Sequence, residues 1–227
     1  MFTSTDLPSF ELHISWRGKD RLFDDILALI TMFGSLGALG SRSRRGFGAL
    51  AFQPGEQPMS LTGALARFGN PKGIHIREQT VLYSDHDEAL DALSQWLKGW
   101  RSHGRTPNLS KGPGIEYAKH DHDSGLGKRI NGETFRPAIG LPIVQFYSST
   151  RTRVNWDYEA KGRFASPVIL RPYRLPDGKY KALVIFAEAH KWPKDKKVYL
   201  SNLGERRVSL ALYNAMKADP NLRPFEG

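Results

Sequence analysis

The first regular pattern along the chain is the alternation over residues 10–16, FELHISW, where Phe10, Leu12, Ile14 and Trp16 are separated by Glu11, His13 and Ser15. A period of two predicts a strand with one buried face. Residues 17–20 turn the chain, with Gly18 as the flexible point. Asp20 is placed as an N-cap, and Asp24 and Asp25 fall in a first helical turn, where the dipole favours acids. Leu22, Phe23, Ile26, Leu27, Ile30 and Phe33 then recur at helical spacing, and Gly34 stands where a helix would stop. Residues 46–52 resume as a strand. Strand, helix, glycine-rich loop and strand make half of the β-α-β-β-α-β pattern of a ferredoxin-like fold. Too few residues precede Phe10 to hold the other half, which is expected from later in the chain or from another chain.

Residues 53–73 read as a connector rich in Pro, Gly and Gln, with a short helix over 61–68. A strand is predicted over 74–83 and a helix over 86–101, capped by Ser84 or Asp85, with Leu90, Leu93, Trp96, Leu97 and Trp100 on one side. Residues 102–131 are polar and glycine-rich and predict a long loop. Residues 135–147 are apolar, and 148–163 are basic. Residues 168–170 and 179–187 form two arms of a hairpin with Pro176, Asp177 and Gly178 at the turn. Residues 198–200 add a short strand, and 205–218 close the chain as a helix carrying Val208, Leu210, Leu212, Tyr213 and Met216. The class is α+β, divided into a partial ferredoxin-like unit over 1–73 and a second unit over 74–227. No repeat of 20–50 residues is present.

Composition adds constraints. The 227 residues suffice for a hydrophobic core, and 40% hydrophobic with 25% charged residues is ordinary for a globular protein. The longest largely apolar stretch, 26–33, broken only by Thr31, is too short to span a membrane, and the N-terminal residues lack the features of a secretory signal. A cytoplasmic protein without a membrane partner is expected. The absence of cysteine excludes disulfides, thiol catalysis and cysteine-ligated zinc. The net charge of +10 favours a polyanionic partner, nucleic acid ahead of an anionic membrane.

Charge draws attention to residues 34–52, GSLGALGSRSRRGFGALAF. Glycines allow close backbone approach to a ligand, and arginines offer forks suited to phosphate. A Walker loop is excluded because no Gly-Lys-Ser/Thr triplet opens a helix, and a dinucleotide fingerprint because the glycines follow a helix rather than a strand. Residues 45–52, RGFGALAF, match the strand motif of RNA-recognition domains at most positions. Ala49 stands where an aromatic would stack on a base, leaving Phe47 as the stacking platform. Gripping of the RNA backbone by Arg42, Arg44, Arg45 and the loop amides is therefore favoured over base reading.

The same stretch resembles the glycine-rich loop of the RAMP superfamily of CRISPR proteins, in the form GGLGARSRRGFGS of the first subunit of type III-B Cmr complexes. FRPAIGLPI at 135–143 is similar to that family's GLPI segment, and RFASPVILRPYRLPDGKYKALVIF at 163–186 to its R-x-ASP-hydrophobic-R-P segment and following hairpin. The resemblance implies a RAMP fold of ferredoxin-like (RRM-like) units. It also implies a non-catalytic RNA-binding subunit of an antiviral ribonucleoprotein that contacts guide RNA or its duplex with target RNA. Gly37, Gly40, Arg42, Arg44, Arg45, Gly46 and Gly48 match the loop; Arg163, Ser166 and Arg171 match the later segment. Members usually carry an N-terminal βαβ portion before the position of Phe10. A split or truncated subunit is thus expected, its first half supplied by a separate chain alongside the other effector subunits. No cofactor is implied.

Two other sets of residues have chemical potential. His120-Asp121-His122-Asp123 has metal-ligating residue types, but neighbours in an extended loop point apart, so a polar loop is favoured. His13, on the polar face of its strand, supports an alternative, a metal-independent RAMP endoribonuclease that processes guide RNA, with histidine as general acid or base. Lys128, Arg129, Arg136, Arg151, Arg153 and Arg163 would extend a cationic track and make affinity salt-dependent. Trp96 and Trp100, four apart on a helix, read as core.

Overall fold

Residues 74–83 and 86–101 fold as their periodicity predicts, into β1 (Ile74–Tyr83) and α3 (His86–Arg101). Asp85 is the cap: its Oδ1 accepts from the Glu88 N–H at 2.9 Å, while Glu88 accepts from the Ser84 N–H at 3.1 Å. The computed structural model describes residues 9–18, 22–40, 43–102, 112–128, 132–141, 143–147, 150–158, 164–188, 197–201 and 203–227. Among them lie five α-helices and two sheets, an α+β fold. The chain divides into two compact units.

The first unit comprises residues 1–93, 169–185 and 223–227, so a division at residue 73 falls inside it. Its sheet has the order β5-β6-β1-β9, with β5 at Val168–Arg174, β6 at Tyr180–Ala187 and β9 at Leu222–Pro224. The expected hairpin is present. Leu175 N–H donates to the Lys179 carbonyl at 2.8 Å, Asp177 accepts from Lys179 N–H, and Gly178 takes φ +86°. Helix α1 (Phe23–Leu36) runs through Gly34 and ends at Gly37, three residues beyond the expected stop. The expected Asp20 cap lies outside the described residues. Helix α2 (Leu61–Arg67) is capped by Ser60, and Arg67 donates to Asp25 at 2.5 Å. Leu61, Tyr173 and Leu183 form a core against which Met32, Leu36, Ile76 and Phe225 pack. Glu78 is buried in the sheet, paired with Lys181 at 2.9 Å and Arg223 at 2.7 Å.

The expected strand over 10–16 is not formed. Phe10, Leu12, Ile14 and Trp16 are all exposed, at 61, 57, 49 and 40%, and the segment joins no backbone ladder among the described residues. Alternation prepares a strand but does not supply its neighbour, and an isolated strand is unstable in water. Helix α1 is unusual in the same way. It buries Ala28, Thr31 and Ser35 while exposing Phe23, Leu29 and Phe33.

The second unit comprises residues 94–168 and 186–222. Its sheet has the order β2-β8-β7-β4-β3, formed by Glu133–Thr134, Gly204–Val208, Lys197–Leu200, Thr152–Tyr158 and Ile143–Tyr147. Strands β2 and β8 are parallel, whereas β3 and β4 run antiparallel from Ile143↔Trp156 to Tyr147↔Thr152. Leu141, Tyr147, Val154, Trp156, Val198 and Leu200 make the core. The predicted closing helix over 205–218 is instead β8 followed by α5 (Ala211–Lys217), because residues 204–208 return antiparallel to β7 from Gly204 at φ +79°. Residues 102–131 are not a continuous loop either. They contain α4 (Ile115–Gly125), whose buried side carries Ala118, Asp121, Ser124 and Gly125. Trp96 and Trp100 are held by one carboxylate: both indole N–H groups donate to Asp219 Oδ2, at 2.8 and 2.9 Å.

Candidate nucleic-acid interface

The glycine–arginine stretch forms a folded arm rather than a strand over 46–52. Leu39 N–H donates to the Gly48 carbonyl at 2.9 Å and Leu50 N–H to the Gly37 carbonyl at 3.2 Å, with Ala38 bridged antiparallel to Ala49. Gly48 has φ +65°, and a Cβ there would stand 2.0 Å from the Leu39 carbonyl oxygen. Only glycine fits that close return. Gly46, at φ +84°, lets the arm approach the first unit's sheet; a Cβ there would meet Leu90 Cδ1 at 2.6 Å and Pro172 Cδ at 3.3 Å. The attachment is to β5, the edge strand. Leu170 N–H donates to the Arg44 carbonyl at 3.1 Å, and Arg45 bridges Leu170 in parallel.

This attachment brings Arg45 alongside Leu170, the residue before Arg171. Arg171 is 3% exposed, and its Nε and Nη1 have no hydrogen-bond partner among the described residues. Burial alone pulls its pKa from the ordinary guanidinium range down to about 10, so it remains charged at neutral pH. Arg45 is half-buried and is also lowered by burial. Neither makes an ion pair with a carboxylate among the described residues. A buried guanidinium without a counter-charge is unfavourable until an anion meets it. Of the other arm residues, Gly40 has φ +97° with open space about it, Gly37 ends α1, Arg44 is half-buried, and Phe47 is 47% exposed. Arg42 lies outside the described residues.

The remaining sequence candidates do not join this arm within the first unit. Lys128 is exposed just after α4, and Arg151 is exposed at φ +51° before β4. Arg136 is bound into the second unit, donating to Asp121 Oδ2 from its backbone N–H at 2.7 Å and from Nε at 3.3 Å, and to Gln145 from Nη2 at 2.9 Å. Asp121 also accepts from Thr134 Oγ1 and the Phe135 N–H, so it is a buried structural acceptor. The segment 120–123 is helical, correcting the extended loop expected there. Ser166 Oγ closes a local turn with Val168, accepting from its N–H and donating to its carbonyl. Arg129 and Arg163 lie outside the described residues. His13 stands in solvent, 3.2 Å from Glu11, with both side chains 87% exposed. Ser35, buried on α1, and Arg174, on β5, each carry a buried polar atom without a partner among the described residues. Neither stands out in the sequence, because a lone serine on a helix and a lone arginine on a strand have no spacing signature.

No family model, curated protein or solved structure matches the chain. No described helix is long and apolar enough to cross a membrane.

Proposed function

We propose that the chain is a non-catalytic RNA-binding subunit of a type III CRISPR ribonucleoprotein, with a ferredoxin-like organisation of RAMP type. Its arm over residues 34–52 grips the phosphates of guide RNA or of the guide–target duplex. The observation that carries this reading is the glycine arm, closed on itself and attached to β5, which carries Arg45, while Arg171 lies buried on β5; neither desolvated guanidinium meets a carboxylate among the described residues. A desolvated guanidinium without a counter-charge suits phosphate, which supplies the missing charge and accepts from the N–H fork. The net charge of +10 and the resemblance of three segments to RAMP sequences support the same reading. Contact with other effector subunits is supported by the exposed apolar face of α1 and the unpaired alternating segment at 10–16.

The test incubates the protein with labelled CRISPR-repeat RNA, with and without chelator. Retention of intact RNA, abolished in the Arg42/Arg44/Arg45→Ala variant, is the expected result. Metal-independent cleavage abolished by His13→Ala would establish the nuclease alternative instead.

A further inference from the structure

A cleft opens where the arm ends. It is lined by Phe52, Tyr173 and Leu50, and its rim includes Gln53, Gln57 and Pro176. Phe52 is fixed by its neighbour: a Cβ on Gly34 would lie 2.3 Å from the Phe52 ring, so the ring lies flat against glycine backbone. Tyr173 is held edge-on against Phe225, with ring centroids 5.5 Å apart, and the Gln57 amide on the rim donates to the Met59 carbonyl at 2.6 Å. The cleft therefore has one positioned aromatic wall, Phe52, and an aromatic floor, the buried Tyr173.

Its polar groups are unspent. Ser35 lines the cleft at 3% exposure, and its hydroxyl has no partner among the described residues. Arg174 lines it too, and its Nε is buried without a partner there. Backbone groups add to these. Leu170 N–H points away from β6 toward the arm, so by strand alternation Pro172 and Arg174 face outward as well. Past Leu170, β5 is an open edge, leaving the Arg174 N–H and the Pro172 carbonyl turned to the cleft side without a backbone partner among the described residues.

We propose that this cleft receives one unstacked nucleobase of the bound RNA, an inference that rests on the RNA-binding reading above. A planar heteroaromatic ring satisfies both features at once: its face packs on Phe52 above the buried Tyr173, and its edge meets Ser35, Arg174 and the strand edge. An aliphatic side chain would leave those polar groups unpaired, and a phosphate would meet mainly apolar walls. Residues 50–52 continue directly from the arm, so RNA whose backbone lies along the arm delivers a base here.

Two measurements on the full chain test this, using wild type and Gln53→Trp, which blocks the cleft from an exposed rim position. The first is saturation-transfer NMR with the four free ribonucleoside 5′-monophosphates. The second is binding of a short single-stranded RNA in which each base is removed in turn. The expected result is stronger saturation of base than of ribose protons, and one abasic position that weakens binding about tenfold. Both effects vanish in Gln53→Trp. RNA binding that is insensitive to every abasic position, with no base saturation, would overturn the cleft assignment and leave the RNA-binding reading intact. Base saturation without retention of any RNA would uphold the cleft and overturn the RNA-binding reading.

Discussion

Replacing Arg171 by methionine separates a ligand-binding arginine from a structural one. Met keeps the unbranched length of the side chain and removes its charge. The fall of Arg171 from the ordinary guanidinium range to about 10 corresponds to about 3 kcal/mol of destabilisation of the charged form in the folded, ligand-free protein. Imperfect packing of the thioether offsets about 1 kcal/mol of this. The variant is therefore expected to be more stable than wild type by about 1–2 kcal/mol, raising Tm by roughly 2–8 °C for a chain of this size. Its RNA affinity should fall about tenfold or more, as charged hydrogen bonds to phosphate are removed. The pH dependence follows from the direction of the shift. The folded state holds the proton less tightly than the unfolded state, so the penalty is fully present below pH 10. It fades as pH rises above about 10 toward the ordinary guanidinium value, and the gap between variant and wild type narrows there. Differential scanning calorimetry at low ionic strength, paired with RNA titration, reads both effects. A variant that melts lower than wild type and binds RNA equally well would refute the reasoning, because Arg171 would then be holding the fold.

Two further substitutions probe other parts of the molecule. Asp121→Ala removes the acceptor of four hydrogen bonds and leaves Arg136 without its carboxylate. A loss of about 3–5 kcal/mol in urea unfolding is expected. Gly48→Ala forces a Cβ against the Leu39 carbonyl at positive φ, at a cost of about 1–3 kcal/mol in the arm. Faster hydrogen exchange at Leu39 and Leu50 and weaker RNA binding should follow, with the second unit's exchange unchanged.

What the sequence made legible depended on whether the signal was local. β1, α3 and the β5–β6 hairpin each carry their own periodicity and their own turn or cap, and each formed as predicted. Helix α4 was hidden because its buried side is built from Ala118, Asp121, Ser124 and Gly125, which leave no apolar stripe to detect. Strand β7 forms where a short strand was expected at 198–200, whereas β4 and β8 were not read as strands, and the pairing of β4 with β7 joins residues far apart in the chain, such as Trp156 with Leu200. Residues 10–16 show the converse: the alternation is present, but no neighbouring strand meets it among the described residues. In the candidate site, the glycines and arginines of the arm were visible as a motif. The burial of Arg171 was not, because it depends on where the arm is attached. The cleft was invisible for the same reason, since it joins residues 34–57 to 173–176.

The most direct test of RNA binding by the arm is a fluorescence-anisotropy titration of single-stranded RNA at several salt concentrations, comparing wild type with the Arg42/Arg44/Arg45→Ala variant. If the three arginines neutralise phosphates, log affinity falls with log salt for wild type. The slope is shallower in the variant by about 0.7 for each phosphate that it no longer neutralises. Equal affinities and equal slopes in the two proteins would contradict phosphate binding by the arm.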